Sequence, residues 1–159
     1  MTKVPPLSET ETQHEGYGLV LSRAARFITR IYNRHLADVS LTASQYGILT
    51  SISSAEPVAL RELADILVIE RSALLRMVQP LLAAGFLLAS ADPGNRKRLQ
   101  YRLADEGRRN LEHASKCVQA AEAEIEQLLG RTQIREIHDK ALLIANVPGE
   151  ETKPIVQVV

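Results

Sequence analysis

Polar side chains recur at helical spacing in the middle of the chain. One side of the helical projection of residues 70–84 carries Arg71, Ser72, Leu75, Arg76 and Gln79, and the other side is apolar. Arginine can pair in a bidentate way with guanine and glutamine with adenine, while serine can bond to base edges or phosphates. Such a face supplies the groups with which a helix reads a DNA major groove. An ordinary solvated helix shows the same pattern, so this segment alone leaves both interpretations open.

A second concentration of positive charge follows in the sequence. The turn-forming sequence ADPGN is followed directly by the three cations Arg96, Lys97 and Arg98. Strand-like runs at residues 86–90 and 99–103 flank this segment, which predicts a β-hairpin with a loop longer than two residues. Positive charge on a thin projection is attracted by the negative potential of a narrow DNA minor groove. A basic turn can also serve solubility alone, but the helix and the hairpin in this order favour DNA binding.

Helical periodicity dominates the sequence around these two segments. Thr42 and Gln45 have the spacing of a capping box at one helix start. Gly85 and Gly130 suit the ends of two helices, and Thr132 is predicted to cap the last one. The predicted helices cover residues 16–38, 42–54, 60–67 and 70–84, a long helix up to residue 129, and a final helix up to about residue 144.

The long helix that ends at Gly130 carries an apolar seam. Its residues step by three and four positions through almost three heptads: Leu111, Ala114, Val118, Ala121, Ile125 and Leu128. Such a seam predicts that the helix packs along another helix. The one cysteine, Cys117, lies beside the seam and is expected to be a small, partly buried hydrophobe. His113 and Lys116 are near enough in sequence to leave a redox role open.

The composition excludes several broad classes of protein. Of the 159 residues 45% are hydrophobic, which excludes a mostly disordered chain, and a single cysteine excludes a disulfide framework or a multi-cysteine metal cage. The formal net charge is zero, but residues 60–109 carry a net charge of +3 and residues 110–159 one of −3. No apolar run suits a membrane span, and the first residues lack the apolar segment of a secretory signal. We therefore expect a soluble cytoplasmic protein.

Three helices, a hairpin and long flanking helices together describe a winged helix-turn-helix with additional helices. The predicted fold class is mainly α with a small β-hairpin, that is, α+β and mostly helical. In the order of these elements the chain resembles the MarR (multiple antibiotic resistance regulator) family of bacterial transcription factors over about residues 17–145. The segments that carry the resemblance are LTASQYGILTSI, LRELADILVIERSALLRMVQPLLAAGFL and DPGNRKRLQYRLADEGRRNL. They are similar to the family's second helix, its helix-turn-helix, and its wing with the following helix.

The resemblance implies an intertwined homodimer with a dimerisation region shared by the N-terminal and C-terminal helices. It assigns residues 15–40 and 105–145 to that region and residues 41–104 to the winged helix-turn-helix domain, between flexible tails at 1–14 and 146–159. The implied partners are a second copy of the chain, a pseudo-palindromic double-stranded DNA operator, and a small, often aromatic or phenolic effector. No cofactor, metal or membrane partner is implied. The expected location is the bacterial cytoplasm, at the nucleoid.

The resemblance also assigns individual residues to DNA contact. The family usually carries an Asp-x-Arg pair in the wing, in which the acid braces the arginine that enters the minor groove. Asn95 and Lys97 occupy those positions here, and lysine lacks the planar fork of arginine, so which wing cation leads stays open. The implied contact set is Arg71, Ser72, Leu75, Arg76, Gln79, Asn95, Arg96, Lys97 and Arg98.

The first two helices offer a candidate effector site. Tyr17, Arg26 and Tyr46 supply an aromatic and cationic lining for an aromatic acid, although ordinary helix packing also explains them. The function predicted from the sequence is therefore a dimeric, sequence-specific DNA-binding regulator, a repressor that a small-molecule effector releases. Repression and activation are both compatible with the sequence.

Three other functions fit the sequence less well. The four histidines lack metal-ligand spacing, and the chain contains neither G-x-S-x-G nor a glycine-rich phosphate loop, which disfavours an enzyme. Aromatic residues are too few to stack splayed RNA bases. The better alternative is a winged-helix protein-interaction module without specific DNA binding. Zero net charge would suit that module. A protein-binding wing need not be basic, however, so the three cations of the hairpin favour DNA binding.

Overall fold

The computed structural model describes residues 16–145, so the two predicted tails lie outside the described residues. The helices are α1 (Tyr17–Leu36), α2 (Ala43–Ala55), α3 (Leu60–Leu67), α4 (Arg71–Ala83), α5 (Asp105–Leu129) and α6 (Arg131–Ala145), with a 3-10 turn at Ala37–Val39. The strands are β1 (Val58–Ala59), β2 (Leu87–Asp92) and β3 (Asn95–Leu103). The predicted fold class, a mainly helical winged helix-turn-helix, is confirmed.

The main hydrophobic core lies between α2, α3, α4 and the sheet. Helix α4 contributes Leu74, Val78 and Leu81, which are almost completely buried. The other elements contribute Leu36, Ile48, Leu49, Ile52, Val58, Leu63, Leu87, Tyr101 and Leu103. Burial of one such side chain contributes about 1.5–3 kcal/mol. This cluster therefore sets how α4 lies on the domain.

The helix ends follow the predicted local chemistry with one exception. Thr42 Oγ1 accepts the Gln45 N–H at 3.2 Å and Gln45 Oε1 accepts the Thr42 N–H at 2.9 Å, which confirms the capping box. Gly85, at φ 73°, follows α4 in the left-handed conformation as predicted. The predicted cap at Thr132 is wrong. Helix α6 begins directly after Gly130, whose φ of 87° turns the chain within one residue.

The sheet contains a third strand that the sequence pattern does not predict. Strand β1 pairs antiparallel with β3, with Val58 opposite Tyr101 and Ala59 opposite Gln100, so the strand order is β1-β3-β2. Two residues are too few to show an alternating pattern. Strand β1 provides hydrogen-bond partners for the edge of β3 that does not pair with β2.

The hairpin differs from the prediction in its turn. Asp92 pairs with Asn95, so the turn contains two residues and the predicted longer loop is wrong. The reason is local, because Asp92 Oδ1 accepts the Gly94 N–H at 2.8 Å and closes a tight turn. The wing therefore ends in the two-residue turn Pro93–Gly94.

The apolar seam of α5 packs inside the protomer. Five of its six residues are buried or half-buried, and Leu128 is exposed. Ala121 and Ile125 form a small cluster with Ile31 of α1, and the earlier seam residues join the main core. The seam does pack along another helix, as predicted, but that helix is α1 of the same chain.

Polar contacts reinforce the packing of α1 on α5. Glu124 of α5 pairs with Arg34 and with His35, whose Nε2 lies 2.8 Å away, and these two partners hold the pKa of Glu124 below its ordinary value. Burial, aided by the neighbouring Glu122, raises the pKa of Tyr32 to about 12. The Tyr32 hydroxyl, 3.4 Å from the Glu122 carboxylate, is therefore a neutral donor.

Two glycines provide a matched test of how α5 meets the wing. A Cβ added to Gly107, at the start of α5, would lie 2.1 Å from the Phe86 carbonyl oxygen, so the backbone would have to move. A Cβ at Gly47, inside α2, meets nothing within 4 Å. We predict that Gly107→Ala lowers the free energy of unfolding by about 1–3 kcal/mol. Gly47→Ala should raise it by about 0.5–1 kcal/mol, because alanine favours a helix over glycine. Urea unfolding measures both, and a Gly107→Ala variant as stable as wild type would contradict the close approach.

Candidate DNA-binding surface

Five side chains of α4 form one solvent-facing surface, which we call the reading face: Arg71, Ser72, Leu75, Arg76 and Gln79. All five are exposed. On the opposite side of the helix, Leu74 and Val78 are 0% and Leu81 is 1% exposed. The helix cannot rotate about its axis without bringing this apolar side into water. The predicted division of α4 into two faces is therefore confirmed, while contact of the reading face with DNA stays a prediction.

Pro80 lies inside α4 without ending it. The helix continues to Ala83, and the Ala84 N–H bonds to the Pro80 carbonyl at 2.9 Å. Because proline has no N–H, the Arg76 carbonyl lacks its partner four residues later. Both residues are exposed, so water can reach that carbonyl. All five residues of the reading face precede Pro80.

The wing cations Arg96, Lys97 and Arg98 lie in β3 directly after the turn, and all three are exposed. Residues 91 and 92 of β2 pair with residues 99 and 95 of β3, so the three cations occupy a stretch that lacks partners on β2. Extra residues of this kind bend a strand and redirect its side chains. Asn95 Oδ1 accepts the Lys97 N–H at 3.1 Å. The carboxamide thus braces the backbone of the wing rather than a cationic side chain.

Arg98 differs from the other two wing cations. Its Nη2 lies 3.9 Å from Oε1 of Glu62 on α3, whose Oε2 accepts the Ala59 N–H at 3.2 Å. Both charged side chains are exposed, so this ion pair contributes at most about 1 kcal/mol, yet it directs Arg98 toward α3. Within residues 16–145, neither Arg96 nor Lys97 has an ion pair.

Glu56 joins three elements at the base of the wing. It lies between α2 and β1; its Oε2 accepts the Leu103 N–H at 2.8 Å, and its Oε1 accepts from Arg108 of α5. Partial burial by itself would raise the pKa of Glu56. The Leu103 N–H and the Arg108 guanidinium outweigh this effect and hold the pKa below its ordinary value. The Glu56 carboxylate thus supplies the acceptor for the Leu103 N–H, two residues beyond Tyr101, the last residue of β3 that pairs with β1.

Comparison with known proteins finds a family match over the residues of this surface. Residues 41–99, which contain the reading face and the wing cations, match the model of the MarR family. The multiple antibiotic resistance protein MarR of Salmonella typhimurium is 30% identical over 78 residues, which are 49% of this chain and 54% of that protein. The chain thus spans about half the length of the curated relatives it matches.

Similarity of fold extends over most of the chain. The structure of the transcriptional repressor CouR bound to a 23-mer DNA duplex is 26% identical, with a TM-score of 0.77, and covers 89% of this chain and 99% of that one. Residues 41–99 thus match the MarR family model, and most of the chain has the fold of the CouR structure. A structure of Bordetella bronchiseptica BpsR, whose DNA binding is regulated by 6-hydroxynicotinic acid, is 20% identical, with a TM-score of 0.75, and covers 90% of this chain and 99% of that one.

Among residues 16–145 no three histidine, cysteine or acidic side chains are grouped so that they could hold a metal ion. In the same part of the chain no helix combines the length and apolarity required for crossing a membrane. Cys117 is half-buried and packs against the main core, as a small hydrophobe would.

The three residues predicted to bind an effector do not share one environment in the protomer. Tyr17 is 90% exposed near the start of α1, Arg26 is exposed, and Tyr46 packs against the main core. A cavity of about 340 Å³ lies instead where α2, the end of β3 and the start of α5 meet. It is lined by Ser53, Leu103, Arg108, Leu111, Glu112 and Ser115. An effector role for the three predicted residues stays a prediction.

Helices α1 and α6 leave large apolar side chains exposed. They are Tyr17, Leu19, Val20, Leu21 and Phe27 on α1, and Ile137, Leu142, Leu143 and Ile144 on α6. Among the apolar residues of α1, only Ile31 and Leu36 near the end of the helix are buried. Groups of exposed apolar residues on a protein surface mark interaction sites.

Two acidic residues of the surface escape the sequence analysis. Glu62 stands three residues after Ala59, which is the spacing of the acid in a capping box, and this signal could have revealed its role at the start of α3. In the sequence, Glu56 is recognisable only as the residue before Pro57, where a helix is expected to end. No local signal predicts its bond to Leu103, which is 47 residues away.

The role of Glu56 predicts a pH-dependent stability. Glu56→Ala should lower the free energy of unfolding at neutral pH by about 1–3 kcal/mol, because the buried Leu103 N–H loses its acceptor. Since the folded-state pKa of Glu56 is lowered, this stabilisation is complete above the unfolded-state pKa and is lost as pH falls through the folded-state pKa. The difference between wild type and variant should therefore shrink below about pH 4.

Urea unfolding at pH 7 and at pH 3 measures this difference. Glu112→Ala, which removes an exposed acid from α5, is the control and should stay within about 0.5 kcal/mol of wild type. An undiminished Glu56→Ala effect at pH 3 would show that the ionised carboxylate is not the stabilising species.

Proposed function

We propose that this protein is a dimeric, sequence-specific DNA-binding transcriptional regulator of the bacterial cytoplasm. It acts as a repressor that a small aromatic or phenolic effector releases from its operator. The observation that carries the proposal is the reading face, whose polar side chains are exposed while Leu74, Val78 and Leu81 on the other side of the same helix are almost completely buried. The transcriptional repressor CouR, bound to a DNA duplex in its structure, supports the proposal through its similar fold and 26% identity.

In this proposal α4 enters the major groove and the wing follows the minor groove. Arg76 and Gln79 have the chemistry for guanine and adenine edges. Arg71 and Ser72 lie in the first turn of α4, where the positive end of the helix dipole favours a phosphate. Charge on the wing concentrates in Arg96 and Lys97, since Arg98 is directed toward Glu62. This assigns the minor-groove contact to one of the two.

The exposed apolar surfaces of α1 and α6 support a homodimer. The seam of α5 is already used inside the protomer, whereas α1 and α6 keep large apolar side chains exposed, with Tyr17 at 90% and Leu143 at 73%. A second copy presents the same two surfaces, and a two-fold axis lets each cover the other. Two reading faces then meet half-sites about one helical turn, ~34 Å, apart on a pseudo-palindromic operator.

The cavity beside Arg108 supports an effector step. An anionic ligand there would compete with Glu56 for the guanidinium and would loosen the attachment of the wing at Leu103. A ligand releases DNA only when it binds one conformation of the protein better than the other. The regulation of BpsR by 6-hydroxynicotinic acid points to aromatic carboxylates as the first compounds to try.

Fluorescence anisotropy with the full chain tests the proposal. The probes are a duplex from directly upstream of the protein's own gene and a random duplex, each at low and moderate salt, with and without aromatic carboxylates. Tighter binding to the upstream duplex, with a steep decrease of log K against log salt, supports a sequence-specific regulator. Equal and weak binding to both duplexes would favour the winged-helix protein-interaction module.

Two substitutions should separate base reading from phosphate contact. Arg76→Ala is predicted to cost about 1–3 kcal/mol on the specific duplex and much less on the random one, because it removes a pair with a base. Lys97→Ala should weaken binding to both duplexes alike and reduce the salt slope by about 1, because it removes one phosphate contact. Lys116→Ala, which removes an exposed cation from α5, should change neither. Equal losses by Arg76→Ala on both duplexes would reassign Arg76 to phosphate.

The dimer is predicted to depend on the apolar surfaces of α1 and α6. The full chain should be a dimer at micromolar concentration in light scattering. Leu143→Glu on α6 should weaken it by more than about tenfold, because a charge would be buried without a partner. Leu88→Glu, at a similarly exposed leucine of β2, should leave the dimer intact. A monomeric wild-type chain at micromolar concentration would contradict the assignment.

A further inference from the structure

Leu75 is an apolar side chain on an otherwise polar reading face. It is 41% exposed, whereas Leu74 and Val78 on the buried side of the helix have no exposed surface. Helical spacing places Leu75 one turn after Arg71 and one turn before Gln79. A groove that receives this face therefore meets one aliphatic group between two polar ones.

The base edges of the major groove display one kind of apolar group, the 5-methyl group of thymine. A leucine side chain neither donates nor accepts a hydrogen bond, so opposite any other base it would cover polar atoms without satisfying them. Opposite thymine, both the methyl group and the leucine lose apolar surface to water, which is favourable in proportion to the area buried. The chemistry of Leu75 therefore fits thymine and disfavours the other three bases.

We propose that Leu75 is a specificity-determining residue that selects thymine at one position of each operator half-site through contact with the 5-methyl group. This inference rests on the proposed DNA-binding function and adds one base to it. Arg71 and Gln79, which flank Leu75 along the helix, bind polar atoms on either side and hold the leucine in register with the methyl group.

Deoxyuridine scanning tests the contact at the level of single atoms. Each thymine of one half-site in the operator is replaced in turn by deoxyuridine, which removes the methyl group and keeps the base pair. For the wild-type full chain we expect affinity to fall about three- to fivefold at one thymine per half-site, as loss of one buried methyl contact predicts, and to stay unchanged at the others.

Variants assign the effect to its residue. Leu75→Ala should bind thymine and deoxyuridine equally at the sensitive position, whereas Arg76→Ala should bind both more weakly and keep the difference. Leu88→Ala removes a leucine that is 54% exposed on β2 and should also keep it. Leu75→Gln, which has a similar length and suits a helix, repeats the test in case Leu75→Ala does not fold.

The proposal is overturned if no thymine is sensitive in the wild type, or if the two Leu75 variants remain as sensitive as the wild type. Sequence-specific binding without any methyl effect would contradict the role of Leu75 and leave the proposed DNA-binding function intact. Absence of sequence-specific binding would contradict the proposed function and, with it, this inference.

Discussion

The burial of the apolar side of α4 is the constraint on which the reading face depends. Leu74, Val78 and Leu81 each contribute about 1.5–3 kcal/mol by leaving water. Rotation of the helix would replace them with arginine in a core that holds no charged side chain among the described residues. Such a replacement is costly because a buried charge without a partner loses its hydration. The buried side of α4 therefore determines which side chains the helix exposes to solvent.

Two carboxylates hold the wing to the helices behind it. Glu56 bonds to the backbone at Leu103 and to Arg108 of α5, and Glu62 bonds to the start of α3 and lies near Arg98. Each acid uses one oxygen for a backbone N–H and directs the other at an arginine. Because the backbone hydrogen bond fixes the orientation of each carboxylate, it also fixes where the partner arginine lies. The position of the wing therefore depends on α2, α3 and α5 together.

The distribution of apolar surface divides the chain into a part that is complete in one protomer and a part that is not. The seam of α5 packs on Ile31 and on the main core, so the winged domain is joined to α1 within one chain. The first half of α1 and the later part of α6 keep large apolar side chains in water, with Leu143 at 73% exposure. These two surfaces flank the same long helix. Pairing of two protomers would therefore place the dimer contact and the wing attachment on opposite ends of α5.

The sequence by itself determined the features that depend on neighbours within about four residues. The capping box at Thr42, the left-handed Gly85, the two faces of α4 and the cluster of wing cations all follow from local spacing. The predicted extent of α4, residues 70–84, differs from the observed Arg71–Ala83 by one residue at each end. The tertiary structure decided β1, the register of the hairpin, the partners of Glu56 and the helix on which the seam of α5 packs. These depend on groups that are far apart in the chain, and a periodic pattern identifies a buried face without identifying what covers it.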